Sequence, residues 1–153
     1  NLEVFNLHQF VEKCNEIYKV KYKEALIIND TEDMSILSNP LLLEIIIQNM
    51  VDNALKYNVS DVPEIKIYTK KDKNIWSVFF EDNGIGISKD YATKIFDPFN
   101  RINEIETSAG SGLGLTISKL AAFKMNATLD LYYSSKENGS IFKLDLTDEN
   151  EPH

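Results

Sequence analysis

The chain has 153 residues, 43% of them hydrophobic, a formal net charge of −8 and one cysteine. This allows one globular domain with a sizeable core, and no run reaches the roughly 20 apolar residues that a bilayer crossing needs, nor does a basic-apolar-small signal open the chain. The acidic balance opposes a broad surface for nucleic acid or anionic membrane, a single Cys14 cannot form an internal disulfide, and two histidines speak against a His/Cys metal cage.

Leu7, Phe10, Val11, Cys14 and Ile17 or Tyr18 recur at helical spacing, which predicts an amphipathic helix to about Lys19 with Cys14 as a buried structural thiol in a reducing interior. Ala25 to Ile28 predicts a short buried strand. Ser38-Asn39-Pro40 is a helix start, since Ser or Asn caps free N–H groups and proline suits the first turn; this helix should run to about Tyr57. Alternation from Glu64 to Thr69, the turn-like Lys71-Asp72-Lys73-Asn74, and Trp76 to Phe80 predict a hairpin. A further helix is expected from Leu113 to about Met125, then a second hairpin, Thr128 to Tyr133 and Ser140 to Leu146, around Glu137-Asn138-Gly139. Strands that come in hairpins among helices imply an α+β two-layer sandwich, a mixed, mostly antiparallel sheet covered on one face by helices. Asn100 to Ser111 is the one long irregular stretch, and a loop of that length in a compact domain reads as a binding lid.

Four segments carry chemistry. In the long helix, Asn49, Asp52, Asn53 and Lys56 fall within an arc of roughly 100°, while Ile45, Ile46, Met50, Val51 and Ala54 make the rest largely apolar. Asn is a poor helix former, so two of them one turn apart call for a reason beyond solvation, and an amide oxygen such as that of Asn53 is a hard ligand suited to Mg²⁺. Next, Glu81-Asp82-Asn83-Gly84-Ile85-Gly86-Ile87 follows a strand: its glycines allow a sharp turn close to a ligand, and Asp82 offers an acceptor that would suit an adenine amino group. The third, Ile95-Phe96-Asp97-Pro98-Phe99-Asn100-Arg101, sets paired aromatics about a proline and places Arg101 at the lid, where it could meet a polyphosphate. The last, Gly110-Ser111-Gly112-Leu113-Gly114-Leu115, leads into a helix whose exposed N–H groups favour phosphate. It lacks the Gly-Lys-Ser/Thr ending of a P-loop.

In this order the four segments resemble the asparagine, first glycine, phenylalanine and second glycine boxes of the histidine kinase catalytic domain, a branch of the GHKL superfamily with the Bergerat ATP-binding fold. The likeness covers almost the whole chain: Val4-Phe5-Asn6-Leu7 resembles the family's entry strand and helix, and Gly139-Ser140-Ile141-Phe142 its closing hairpin. It implies one catalytic ATP-binding domain over residues 1–153, with a compact core of about 3–147, using ATP and Mg²⁺. By the resemblance, Asn53 ligates the metal, with Asn49 and Lys56 near the phosphates and Tyr57 and Phe99 flanking the nucleotide. Asp82 accepts from adenine in a pocket shaped by Gly84, Gly86 and Ile87. Arg101 reaches the terminal phosphate, and Gly110, Ser111, Gly112, Leu113, Gly114 and Leu115 form the phosphate-binding turn. Asn49, Lys56 and Arg101 are the candidate catalytic residues.

Hydrolytic and serine-kinase branches of the superfamily carry a glutamate base where this chain has Asn49. An amide is no useful base, whereas a neutral imidazole needs none on its attacking nitrogen, so histidine is the expected acceptor. That acceptor belongs to an upstream dimeric helical hairpin expected to be absent here, since His8 is followed by Gln9 and His153 is terminal. Implied partners are this hairpin domain and, downstream, a response-regulator receiver domain. The segment itself should be cytoplasmic and monomeric, without nucleic-acid or direct membrane contact, whether or not the full-length protein is anchored in the inner membrane. The alternatives are a hydrolytic ATPase of the superfamily and a degenerate nucleotide-sensing module.

Overall fold

The computed structural model describes residues 1–56, 58–97 and 113–146. The expected lid from Asn100 to Ser111 lies outside them.

Strand β1 (Glu3–Asn6) leads directly into helix α1 (Leu7–Lys21). Asn6 ends the strand and caps the helix, its side chain accepting the N–H of Gln9 at 2.9 Å. Strand β2 (Leu26–Asp30) follows, and β3 (Ser35–Ser38) pairs antiparallel with β1 in a two-stranded sheet. Helix α2 (Pro40–Lys56) opens as expected: Pro40 takes the first position, and the Asn39 side chain accepts the N–H of Leu42 at 3.0 Å.

Strands β4 (Glu64–Asp72) and β5 (Ile75–Asp82) form the first predicted hairpin. Lys73 and Asn74 both have positive φ, 51° and 70°, as a tight two-residue turn that follows the sheet twist requires, so both strands run further than the sequence pattern suggests. A short helix, α3 (Lys89–Ala92), comes next, then α4 (Gly114–Lys124) and the hairpin of β6 (Thr128–Ser135) and β7 (Gly139–Asp145).

The main sheet has the order β2-β4-β5-β7-β6, with β2 parallel to β4 and every other pair antiparallel. Period-two alternation sorts its faces. Ile65, Ile67, Val78, Phe80, Phe142 and Leu144 point inward and join Leu7, Val11, Leu43, Ile46, Ile47 and Met50 of the helices in one core. The opposite face carries Tyr68 stacked on Phe79 at 5.1 Å and Tyr132 edge-on to Phe79 at 5.4 Å. The Nζ atoms of Lys70 and Lys143 lie over the Phe79 ring, each 5.9 Å from its centroid, and this aromatic is buried.

One expectation needs correction and one holds. The stretch at residues 25–28 is an edge strand, not a buried one: it starts at Leu26, which is exposed, and only Ile27 is buried, because β2 has a neighbour on one side alone. Cys14 is buried as expected, and that burial is the main cause of its thiol being pushed up to about 11, with Glu44 adding to the rise and Lys13 opposing it.

Candidate functional site

Asp82 is the last residue of β5, and its register opposite Ile65 puts it on the inner face with Phe80 and Val78, toward the helices. It is 9% exposed. Its Oδ1 accepts the N–H of Gly84 at 2.8 Å and that of Ser140 at 3.2 Å. Burial nevertheless dominates and raises the carboxyl to about 6; the two backbone hydrogen bonds pull it down and the neighbouring Glu81 charge adds to the rise. A carboxylate so poorly solvated has unused capacity for a hydrogen-bond donor.

The turn after Asp82 is clasped by the β6–β7 hairpin. Gly86 has φ of 75°, and a Cβ there would stand 2.0 Å from the Ser135 carbonyl oxygen; at Gly139, with φ of 86°, a Cβ would stand 2.1 Å from the Asp82 carbonyl oxygen. Only glycine satisfies both the dihedral and the approach. Ser134 Oγ accepts the N–H of Ile87 at 2.6 Å and lies 2.9 Å from Ser140 Oγ.

Asn83 ties this turn to α2. Its Oδ1 accepts the N–H of Glu64 and a proton of Asn58 Nδ2, both at 2.8 Å, while its own amide donates to the Val62 carbonyl at 3.0 Å. Asn58 Nδ2 also donates to the carbonyl of Ala54 at 3.3 Å. One side chain thus bridges the immediate neighbours of Asn53 and Asp82. Asn58 and Ser134 escaped a reading by motif, since their roles follow from long-range pairing, and Ser140, though part of the closing-hairpin motif, gave no sign of its bond to Asp82.

The polar stripe of α2 divides. Asn49 turns toward α4, where its Nδ2 donates to the carbonyl of Gly114 at 3.1 Å. Asp52 turns the other way: its carboxylate accepts from Tyr22 Oη at 2.5 Å and pairs with Lys21 Nζ at 3.4 Å, fastening α2 to the end of α1. The expected single stripe is therefore two, because Tyr22, just past α1, supplies a donor that helix periodicity does not reveal. Asn53 is partly buried and, among the described residues, no side chain holds it; Lys56 is exposed. His8 belongs to the fold, with Nδ1 3.0 Å from the Thr31 carbonyl oxygen.

Leu115 is buried in the first turn of α4. That turn has no side-chain N-cap. Tyr57, Phe99, Arg101, Gly110, Ser111 and Gly112 lie outside the described residues.

Among the described residues no helix is long and apolar enough to cross a membrane. The profile of the family described as histidine kinase-, DNA gyrase B-, and HSP90-like ATPases matches residues 38–150. The sensor protein kinase WalK of Staphylococcus aureus is 30% identical over 125 residues, which is 78% of this chain and 30% of that protein; against the WalK of strain JH9 the covered share is 20%. The chain therefore spans less than a third of these relatives. In fold it matches a mycobacterial sensor histidine kinase, MprB, with a TM-score of 0.86 at 19% identity, covering 99% of this chain and 100% of that one. The nucleotide-free catalytic domain of the histidine kinase ThkA matches with a TM-score of 0.78 at 21% identity over 99% of both chains. With the family profile spanning α2, both glycine turns and the closing hairpin, this chain belongs to the histidine kinase-, DNA gyrase B- and HSP90-like ATPases, as a catalytic domain of the sensor histidine kinase kind.

Proposed function

We propose that this chain binds Mg-ATP between α2, the turn after Asp82 and the start of α4, and that in its full-length protein it passes the γ-phosphate to a histidine of a separate dimeric helical hairpin. A response-regulator receiver domain would then take the phosphoryl group from that histidine. The observation that carries this reading is a pair of side-chain bridges, from Asn58, just past α2, to Asn83 at 2.8 Å and from Asn49 of α2 to Gly114 at 3.1 Å. They draw together three segments that each suit a different part of one nucleotide.

Asp82 has both described hydrogen bonds on Oδ1, which supports Oδ2 as the acceptor for the adenine amino group, with Gly84, Gly86 and Ile87 forming the wall. Among the described residues no cluster of three His, Cys, Asp or Glu could hold a metal. An ion at this site would take one protein ligand, and the rest from phosphate and water, a pattern that Mg²⁺ accepts. Asn53, with no described partner, fits that single ligand. Bound Mg²⁺ would offset the charge of the phosphates. Lys56 and Arg101 supply cationic charge, and the turn through Gly110, Ser111, Gly112, Leu113, Gly114 and Leu115 supplies N–H groups. Tyr57 and Phe99 would flank the nucleotide. The amide of Asn49 cannot take a proton from water or a hydroxyl, which supports imidazole as the acceptor.

Calorimetric titration with Mg-ATP tests the site. Asn53→Ala should lose affinity for Mg-ATP but little for metal-free ADP, and Asp82→Ala should lose both; unchanged affinity in both variants overturns the assignment. Phosphorylation of a supplied helical-hairpin domain, with negligible ATP turnover by the chain alone, separates the kinase from a hydrolytic ATPase.

A further inference from the structure

Asn49 donates to the carbonyl oxygen of Gly114 at 3.1 Å, and the hydroxyl of Ser118, wholly buried, donates to that same oxygen at 2.9 Å. We propose that Asn49 and Ser118 are positioning residues which, by gripping the Gly114 carbonyl, reinforce the direction of the Leu115 N–H at the start of α4.

The peptide linking Gly114 to Leu115 is planar and trans, so its C=O and N–H point in opposite directions. Holding the oxygen against α2 therefore aims the Leu115 N–H away from α2, on the side where the helix start is electropositive. Both side chains add to the helix's own bond from the Ser118 N–H to this oxygen, and α4 has no side-chain N-cap and no acidic residue in its first turn. The one other side-chain anchor described there, Thr116 Oγ1 to the Phe96 carbonyl at 2.6 Å, lies one residue further along. Glycine at position 114 is not demanded by crowding, since a Cβ would stand 3.9 Å from the Asn49 side chain in ordinary contact. The carbonyl is what the site uses.

The chemistry of the grip constrains residue 49. The oxygen it meets is an acceptor, so the side chain must donate, and a carboxylate would set two acceptors against each other. A carboxylate placed there as a base for a nucleophile could not make this donation. The amide at 49 thus suits the position to holding the backbone, a step beyond the function proposed above, on which its consequence for nucleotide rests.

The test uses the full chain, with Asn49→Ala, Ser118→Ala and the double variant, and needs two readouts. Without nucleotide, amide hydrogen exchange of Ile117 and Ser118 should quicken about fivefold to tenfold in each single variant, the range set by one lost hydrogen bond. With nucleotide, ADP affinity should fall by a similar factor while adenosine affinity stays unchanged, and the double variant should lose less than the product of the single losses because both grip one oxygen. Unchanged exchange in both single variants, or losses in ADP affinity that multiply, would overturn the proposal. Should Asn49→Ala fail to fold, Ser118→Ala, which removes a single hydroxyl, still decides it by exchange. A wild-type chain that binds neither ADP nor adenosine would instead refute the nucleotide site and leave the exchange result to judge the grip.

Discussion

Asp82 and Ser140 face each other across the seam between the first glycine turn and the last hairpin, the carboxylate oxygen accepting the serine N–H at 3.2 Å in a buried setting. Its consequences begin with pH. The folded carboxyl is raised to about 6 from 3.8, burial being the first cause. A raised carboxyl contributes stability that is fully present below its unfolded value and is lost as pH climbs through the folded one. Unfolding in urea should thus show the ligand-free chain losing on the order of 2 kcal/mol between about pH 4 and pH 7 through this group. Asp82→Asn, which keeps an acceptor for Gly84 and Ser140 but carries no charge, should remove that dependence and be at least as stable as wild type at pH 8. Nucleotide affinity should move oppositely, weakening as pH falls below about 6 in wild type and being poor at every pH in Asp82→Asn.

The glycines are not equivalent. Gly86→Ala and Gly139→Ala each combine a left-handed dihedral with a Cβ near 2 Å from backbone oxygen, so each should cost at least about 3 kcal/mol in thermal or urea unfolding. Gly114→Ala meets only ordinary contact and should leave the fold intact or slightly stiffer, by up to about 1 kcal/mol.

Asp52 is expected to matter for the fold and not for the metal. Tyr22→Phe and Asp52→Asn should each destabilise the chain by about 1–2 kcal/mol, with a coupling in the double variant, because the hydroxyl and the carboxylate are each other's partners at 2.5 Å. Magnesium dependence of nucleotide binding should be untouched in both; its loss in Asp52→Asn would return this residue to the site.

Removing the cap of α2 offers a control for stability alone. Asn39→Ala should lower stability by about 1 kcal/mol, since the Leu42 N–H loses its acceptor. Base-line corrected titration should find the nucleotide affinity of the folded fraction unchanged.

Much of this architecture can be read along the chain wherever the deciding interaction is local. The α2 start follows from Asn39-Pro40, and the β4–β5 hairpin from polar residues between two alternating runs. β3 escapes such a reading because four residues carry no period of their own and gain their strand state by pairing with β1, more than thirty residues earlier. The same limit applies in the site. Asn49 and Asp52 look alike on a helical wheel, yet one meets Gly114 and the other Tyr22; only the packing of α1 and α4 on either side of α2 tells them apart. Asp82 was legible as an acceptor at a strand end, but its raised carboxyl depends on a closing hairpin whose residues lie nearly sixty positions away.

Strand β7, the last in sequence among the described residues, occupies an interior place in the sheet, between β5 and β6. While the protein is being synthesised, the apolar residues Val78 and Phe80 must therefore wait beside an unfilled slot until β7 has left the ribosome, a stretch in which chaperones or wrong strands have their opportunity. A chain clipped just before Gly139 would forfeit the middle of its sheet instead of a frayed margin, and with it the backbone donor that steadies Asp82. Closure of the sheet by β7 and the steadying of Asp82 are in this way one event.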